Sequence, residues 1–229
     1  MTDEVETTQY PTVGASGDGH GMPPETDVPT SEERGGQRRR RINRTAIEWA
    51  VLVVAAVVIA LVIKTFLFQA FYIPSESMVP TLEVGDRVLV NKLSYDLHDV
   101  HRGDIVVFKS AGNASWVQAN IDDLVKRVIG LPGETVTECE DGHVCIDGRL
   151  LNESYLPKGT LTRFETTPPT GCAPGSPPSG CIVPAGHYFV LGDNRPRSQD
   201  ARAHGPIKGS SIVGRVFVRI WPLDRLGFL

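Results

Sequence analysis

LVKRVI, residues 124–129, sets two adjacent cations inside a run of aliphatic side chains. Read as a strand, its side chains alternate between faces. Lys126 then lies with Leu124 and Val128, and Arg127 with Val125 and Ile129. A lysine so flanked is either an edge-strand charge that reaches water or an amine kept neutral by desolvation. The segments around it share its character. Residues 87–91, 104–108, 135–137, 143–146, 187–191 and 212–220 are short, rich in β-branched residues and bounded by Gly, Pro, Asp or Asn. No amphipathic helical period separates them and no internal repeat occurs, which predicts a mostly β domain. Residues 159–184, with TTPPTGCAPGSPPSGC inside, read as an irregular inserted loop.

N-terminal to this domain the chain changes character. The overall charge of −4 on 229 residues hides a local asymmetry. No Lys or Arg precedes Arg34, and the acids Asp3, Glu4, Glu6, Asp18, Glu25, Asp27, Glu32 and Glu33 accumulate. Then follow Arg34, Arg38, Arg39, Arg40, Arg41 and Arg44. The whole is not basic enough for a nucleic-acid partner. Residues 1–36 are polar and lack apolar periodicity, so a disordered tail is expected, running to about residue 44. WAVLVVAAVVIALVI, residues 49–63, has no charge, Gly or Pro. As a helix it rises about 22 Å, short of a ~30 Å hydrocarbon core. It reaches Phe71 if Lys64 snorkels to an interface. No A-x-A-like cleavage site follows, so residues 45–71 read as an uncleaved signal anchor. The arginines would keep residues 1–44 cytoplasmic and place 72–229 outside, on a plasma membrane crossed once. The final VFVRIWPLDRLGFL is too short for a second span.

Four cysteines, Cys139, Cys145, Cys172 and Cys181, form no C-x-x-C pair. Close pairing in Gly/Pro-rich surroundings favours two local disulfides in an extracytoplasmic domain, although three connectivities are possible. Metal chemistry has little support. His98 and His101 form an H-x-x-H without the glutamate of a zincin helix, so a solvated loop is expected there and no metal or cofactor is implied. G-x-S-x-G is absent, and the nearness of Ser198, Asp200 and His204 in sequence proves no triad. Serine with lysine remains. That pairing needs an amine whose pKa falls from ~10.4 to roughly 7–8, and Lys126 is the candidate. The sequons at Asn113 and Asn152 are common by chance.

PSESMVPTL, residues 74–82, resembles the serine box of the type I signal peptidases, or leader peptidases. DLVKRVIGLPGE, residues 123–134, resembles their lysine box. GDRVLVNKLSY at 85–95, RGDIVVF at 102–108 and GHYFVLGDNRPRSQDAR at 186–202 resemble the remaining boxes, in the family's order. The likeness covers residue 73 to the C-terminus apart from the loops, and the anchor in general character.

The resemblance implies an antiparallel β catalytic domain behind a single transmembrane helix. It implies a serine endopeptidase in which Ser77 attacks and Lys126 is the general base. Ser75 and the Ser77 N–H would hold the oxyanion, and Ser198 would orient the lysine amine. Met78 would pack beneath the nucleophile. Arg127 with Asp193, and Arg202 with Asp200, would be structural ion pairs. Cys139–Cys145 resembles a disulfide of some members. The expected substrates are secretory preproteins, cut after small residues at Ala-x-Ala-like sites beside the bilayer and near the export machinery. Two departures stand out: Glu76 where the family often has Gly, and Ala201 where it usually has Ser. Two rival readings share the anchor, an exported Ser–Lys protease with specialised substrates and a catalytically silent tethered binding protein.

Overall fold

In the computed structural model, residues 32–116 and 122–229 are described. The chain divides into two units, Met1–Val53 and Val54–Leu229. The expected disordered tail lies, through residue 31, outside the described residues. From Glu32 the chain is helical: α1 runs Glu32–Phe66, so residues 32–44 are helix where a disordered segment was expected. Glu, Gln and Arg, which dominate this segment, are good helix formers and outweigh Gly35 and Gly36. Within α1, Arg44–Val62 has a mean hydropathy of 2.5 and is long and apolar enough to cross a membrane. Its 19 residues rise about 28 Å.

The helix stops at Phe66, short of Phe71. Phe68–Tyr72 are instead strand β1, paired residue for residue with β2, Arg87–Asn91. Sheet hydrogen bonds take this segment because its backbone has a partner strand, and its two half-buried rings find separate contacts, Phe68 beside Phe217 and Phe71 against the cluster that holds Met78 and Val88. The remaining strands are β3 (Ile105–Lys109), β4 (Asp123–Gly130), β5 (Thr135–Glu138), β6 (Val144–Ile146), β7 (Arg149–Leu150), β8 (Gly180–Ile182), β9 (His187–Leu191), β10 (Ile207–Lys208), β11 (Ile212–Trp221) and β12 (Gly227–Phe228). All described pairings are antiparallel. One sheet is ordered β1-β2-β11-β3-β4-β9-β10, with β12 added to β11; the other is β7-β6-β5-β8. The mostly β expectation holds. Short helices α2 (Ser94–Leu97) and α3 (Ala201–His204) fill turns.

Strand β4 lies deep in the larger sheet. Against β3, Val106 faces Lys126 and Ile105 faces Arg127. Val106, Val128, Phe108, Phe189 and Trp116 belong to one apolar cluster. Ile105, Val107, Met78, Leu82, Val88 and Val216 belong to another. Near-continuous aliphatic strands are what a sheet covered on both faces requires. The last residue of β4 is Gly130, where a Cβ would collide with Val136 and Phe189. The β9 ladder begins only at Arg127. Among the described residues, therefore, residues 123–126 pair on the β3 side alone. Disulfides join Cys139 to Cys145 and Cys172 to Cys181. The second clips the irregular loop to β8, which pairs with β5.

Candidate active site

The loop after β1 carries the serines. Its base is closed by Ile73 N–H to the Asp86 carbonyl at 2.9 Å and Gly85 N–H to the Ile73 carbonyl at 3.0 Å. Between them the chain turns back on itself, with Leu82 N–H donating to the Met78 carbonyl at 2.9 Å. Met78 and Leu82 anchor the turn in the apolar cluster. Ser77 is thereby carried to the face of β4, only 8% exposed, while Ser75 stays open to solvent.

Lys126 Nζ lies 2.7 Å from Ser77 Oγ. A charged amine would donate in this bond; a neutral one accepts the hydroxyl proton. Burial pushes the amine down from its ordinary 10.5 to about 8, against the pull of Asp200 and Asp193. Neither carboxylate bonds to it. Asp193 takes Arg127 Nε at 2.9 Å and Nη2 at 2.7 Å, and the Thr81 hydroxyl at 2.5 Å. Asp200 takes Arg202 Nε at 2.8 Å and Nη2 at 2.9 Å, and accepts from Gly192 N–H at 3.1 Å. Such bidentate pairs engage both oxygens of each carboxylate and fix their orientation toward the arginines.

Ser75 Oγ is 3.3 Å from Ser77 Oγ. Ser198 Oγ is buried and has no hydrogen-bond partner among the described residues. It packs against Gly192, where a Cβ would strike both Ser198 Oγ and the Ser77 carbonyl, so only glycine admits this close approach. The structure thus gathers Ser75, Ser77, Met78, Lys126 and Ser198 within one neighbourhood and backs it with the two Asp–Arg pairs. It does not place Ser198 in a hydrogen bond to the amine.

Three residues of this surround were not foreseen. Arg195 is fully buried and holds Glu153 at 2.5 and 3.1 Å, the Thr162 hydroxyl at 2.5 Å and the Gly192 carbonyl at 3.1 Å. The Tyr155 hydroxyl donates to Glu153 at 2.6 Å, and the Arg127 guanidinium sits 4.0 Å from the centre of the Tyr155 ring. Arg195 lies in the GDNRPRSQDAR stretch, and a buried arginine there demands an acid from elsewhere. Nothing local marks Glu153 as that acid.

A family profile described as signal peptidase, peptidase S26, matches residues 46–221. A signal peptidase I of Leptolyngbya laminosa is 39% identical over 91% of this chain and 97% of its own length. A signal peptidase IB of Staphylococcus aureus is 35% identical over 82% of this chain and 95% of its own. A solved signal peptidase I from Enterococcus faecalis is 35% identical, covering 52% of this chain and 97% of that chain with a TM-score of 0.38. On the strength of the profile and the sequence relatives, the chain belongs to the signal peptidase family, peptidase S26, serine endopeptidases that remove signal peptides from preproteins.

Proposed function

We propose that Ser77 and Lys126 form the catalytic dyad. The observation that carries this is the 2.7 Å contact between Ser77 Oγ and a buried amine that no carboxylate touches among the described residues. Ser77 Oγ attacks the scissile carbonyl as Lys126 takes its proton. The oxyanion is held by the Ser75 hydroxyl and the Ser77 N–H, a donor pair that loses little by reorganisation. The Lys126 ammonium then gives its proton to the leaving amine. Water repeats the sequence to release the acyl-enzyme, with Lys126 again the base.

The open side of residues 123–126 supports an extended substrate added as a strand beside the dyad. Small side chains at the −1 and −3 positions, the Ala-x-Ala pattern, are the preference we expect for that strand. The arginines at 34, 38–41 and 44 support a cytoplasmic N-terminus, with the span at about 45–66 and the β domain outside. Two disulfides fit that compartment. Tethering enzyme and preprotein to one bilayer raises their effective concentration, at or near the site of export.

The test is Ser77→Ala and Lys126→Ala, each assayed as purified full-length protein on a preprotein with an Ala-x-Ala site. Each should lower kcat by at least about 10³-fold. Retained turnover in Lys126→Ala would contradict the dyad. Sequencing the new N-termini from a preprotein panel checks the small-residue rule.

A further inference from the structure

Glu76 stands between the two serines and is tied to the loop that carries Ser198. Its carboxylate accepts from Arg197 Nη1 at 3.0 and 3.2 Å, and both side chains are open to solvent. Two more bonds join the same segments. Asn194 Nδ2 donates to the Glu76 carbonyl at 3.0 Å, and Asn194 N–H donates to the Ser77 carbonyl at 3.0 Å. Ser198 follows Arg197 directly, with its buried hydroxyl unpartnered among the described residues.

A buried hydroxyl without a partner is costly and ready to take one. Lys126 needs no more than Ser77 Oγ while neutral. Once protonated it carries three N–H donors on a side chain that is only 4% exposed. A new acceptor is required at the moment of proton transfer. Among the described residues, Ser198 is the unused hydroxyl packed against the segment that carries Ser77.

We infer that Glu76 and Arg197 form an electrostatic latch that holds the Ser198 hydroxyl where it accepts a hydrogen bond from the Lys126 ammonium as it forms. This rests on the dyad reading. The latch touches neither substrate nor the reacting atoms, so both are positioning residues that act through the loop. Where a glycine replaces Glu76, the Asn194 bonds to the backbone can persist but the charged tie cannot. An exposed pair is weak and screened by salt, so its contribution is a modest one, about two- to five-fold in kcat.

The experiment uses the full-length enzyme and an Ala-x-Ala preprotein. E76Q, R197Q and the exchange E76R/R197E are compared with wild type, alone and with S198A. The latch predicts that each single variant lowers kcat about two- to five-fold at unchanged KM. It predicts that the exchange recovers most of the loss, that 1 M NaCl brings wild type down to E76Q, and that none of these changes matters in S198A. An exchange as slow as the combined singles would overturn it. So would losses that appear in KM alone, which mean substrate contact, or losses that persist undiminished in S198A. Should R197Q not fold, E76Q and the salt series decide the same question. S77A runs alongside: its turnover would overturn the dyad reading itself, which a failed exchange leaves standing.

Discussion

The two faces of β4 hold adjacent cations and treat them in opposite ways. Lys126 and Arg127 are 4% and 8% exposed. Arg127 is given two oxygens of Asp193, the Gly103 carbonyl at 2.8 Å and the Tyr155 ring. Lys126 is given one serine hydroxyl. A guanidinium cannot shed its charge in a protein, so its burial must be matched by an acid. An ammonium can shed its proton, so withholding the acid turns burial into a lowered pKa. The two acids that pull Lys126 upward, Asp200 and Asp193, are bound by the neighbouring arginines. Those arginines therefore do more than brace the sheet. They keep carboxylates off the amine.

Stability should read this contrast directly. Arg127→Met leaves Asp193 buried without its partner and should cost about 3–5 kcal/mol by denaturant unfolding. A loss below about 1 kcal/mol would mean the pair is not buried in effect. Lys126→Met should do the reverse. The folded-state pKa of about 8 lies below the ordinary 10.5, so between them Lys126 binds more proton in the unfolded chain and its contribution to stability rises with pH. The penalty is complete below about 8 and gone above about 10.5. Lys126→Met should thus be more stable than wild type by about 3 kcal/mol at pH 7, with the gap closing as pH climbs. A gap that does not change with pH would place the effect in packing rather than charge.

The smallest effect belongs to the outer support of Arg127. Tyr155→Leu removes the aromatic platform together with the hydroxyl bond to Glu153 and should cost about 1–2 kcal/mol. It should leave the pH dependence of activity in place, since Tyr155 faces the arginine. A displaced pH midpoint would show the two faces to be coupled.

How far this contrast could be read before the structure differs between strand and partner. Residues 87–91 and 187–191 coincide with β2 and β9 because alternation, β-branching and flanking turn residues are local signals. The alternation that sets Lys126 and Arg127 on opposite faces was equally local. β1 was hidden: FQAFY continues an apolar helix in composition, and only its ladder with β2 makes it a strand. The two-residue strands β7, β10 and β12 exist through tertiary pairing and carry no period to detect. The nearness of Ser77 to Lys126 came from resemblance, since the two lie 49 residues apart in sequence. Glu153 and Tyr155 went unread. They sit in NESY, whose first three residues read as a sequon and not as an ion-pair partner, and Arg195 lies 42 residues from Glu153.

All of this turns on Lys126 being held as a neutral base by burial without an acid. Selective side-chain ¹³C labelling of lysine, with the Lys126 resonance assigned by its loss in Lys126→Arg, allows direct titration of the folded full-length protein by NMR. The expected midpoint is about 8, mirrored by an ascending limb in kcat/KM at the same pH. A midpoint at the ordinary lysine value of 10.5, with activity still climbing toward it, would contradict a neutral Lys126 base.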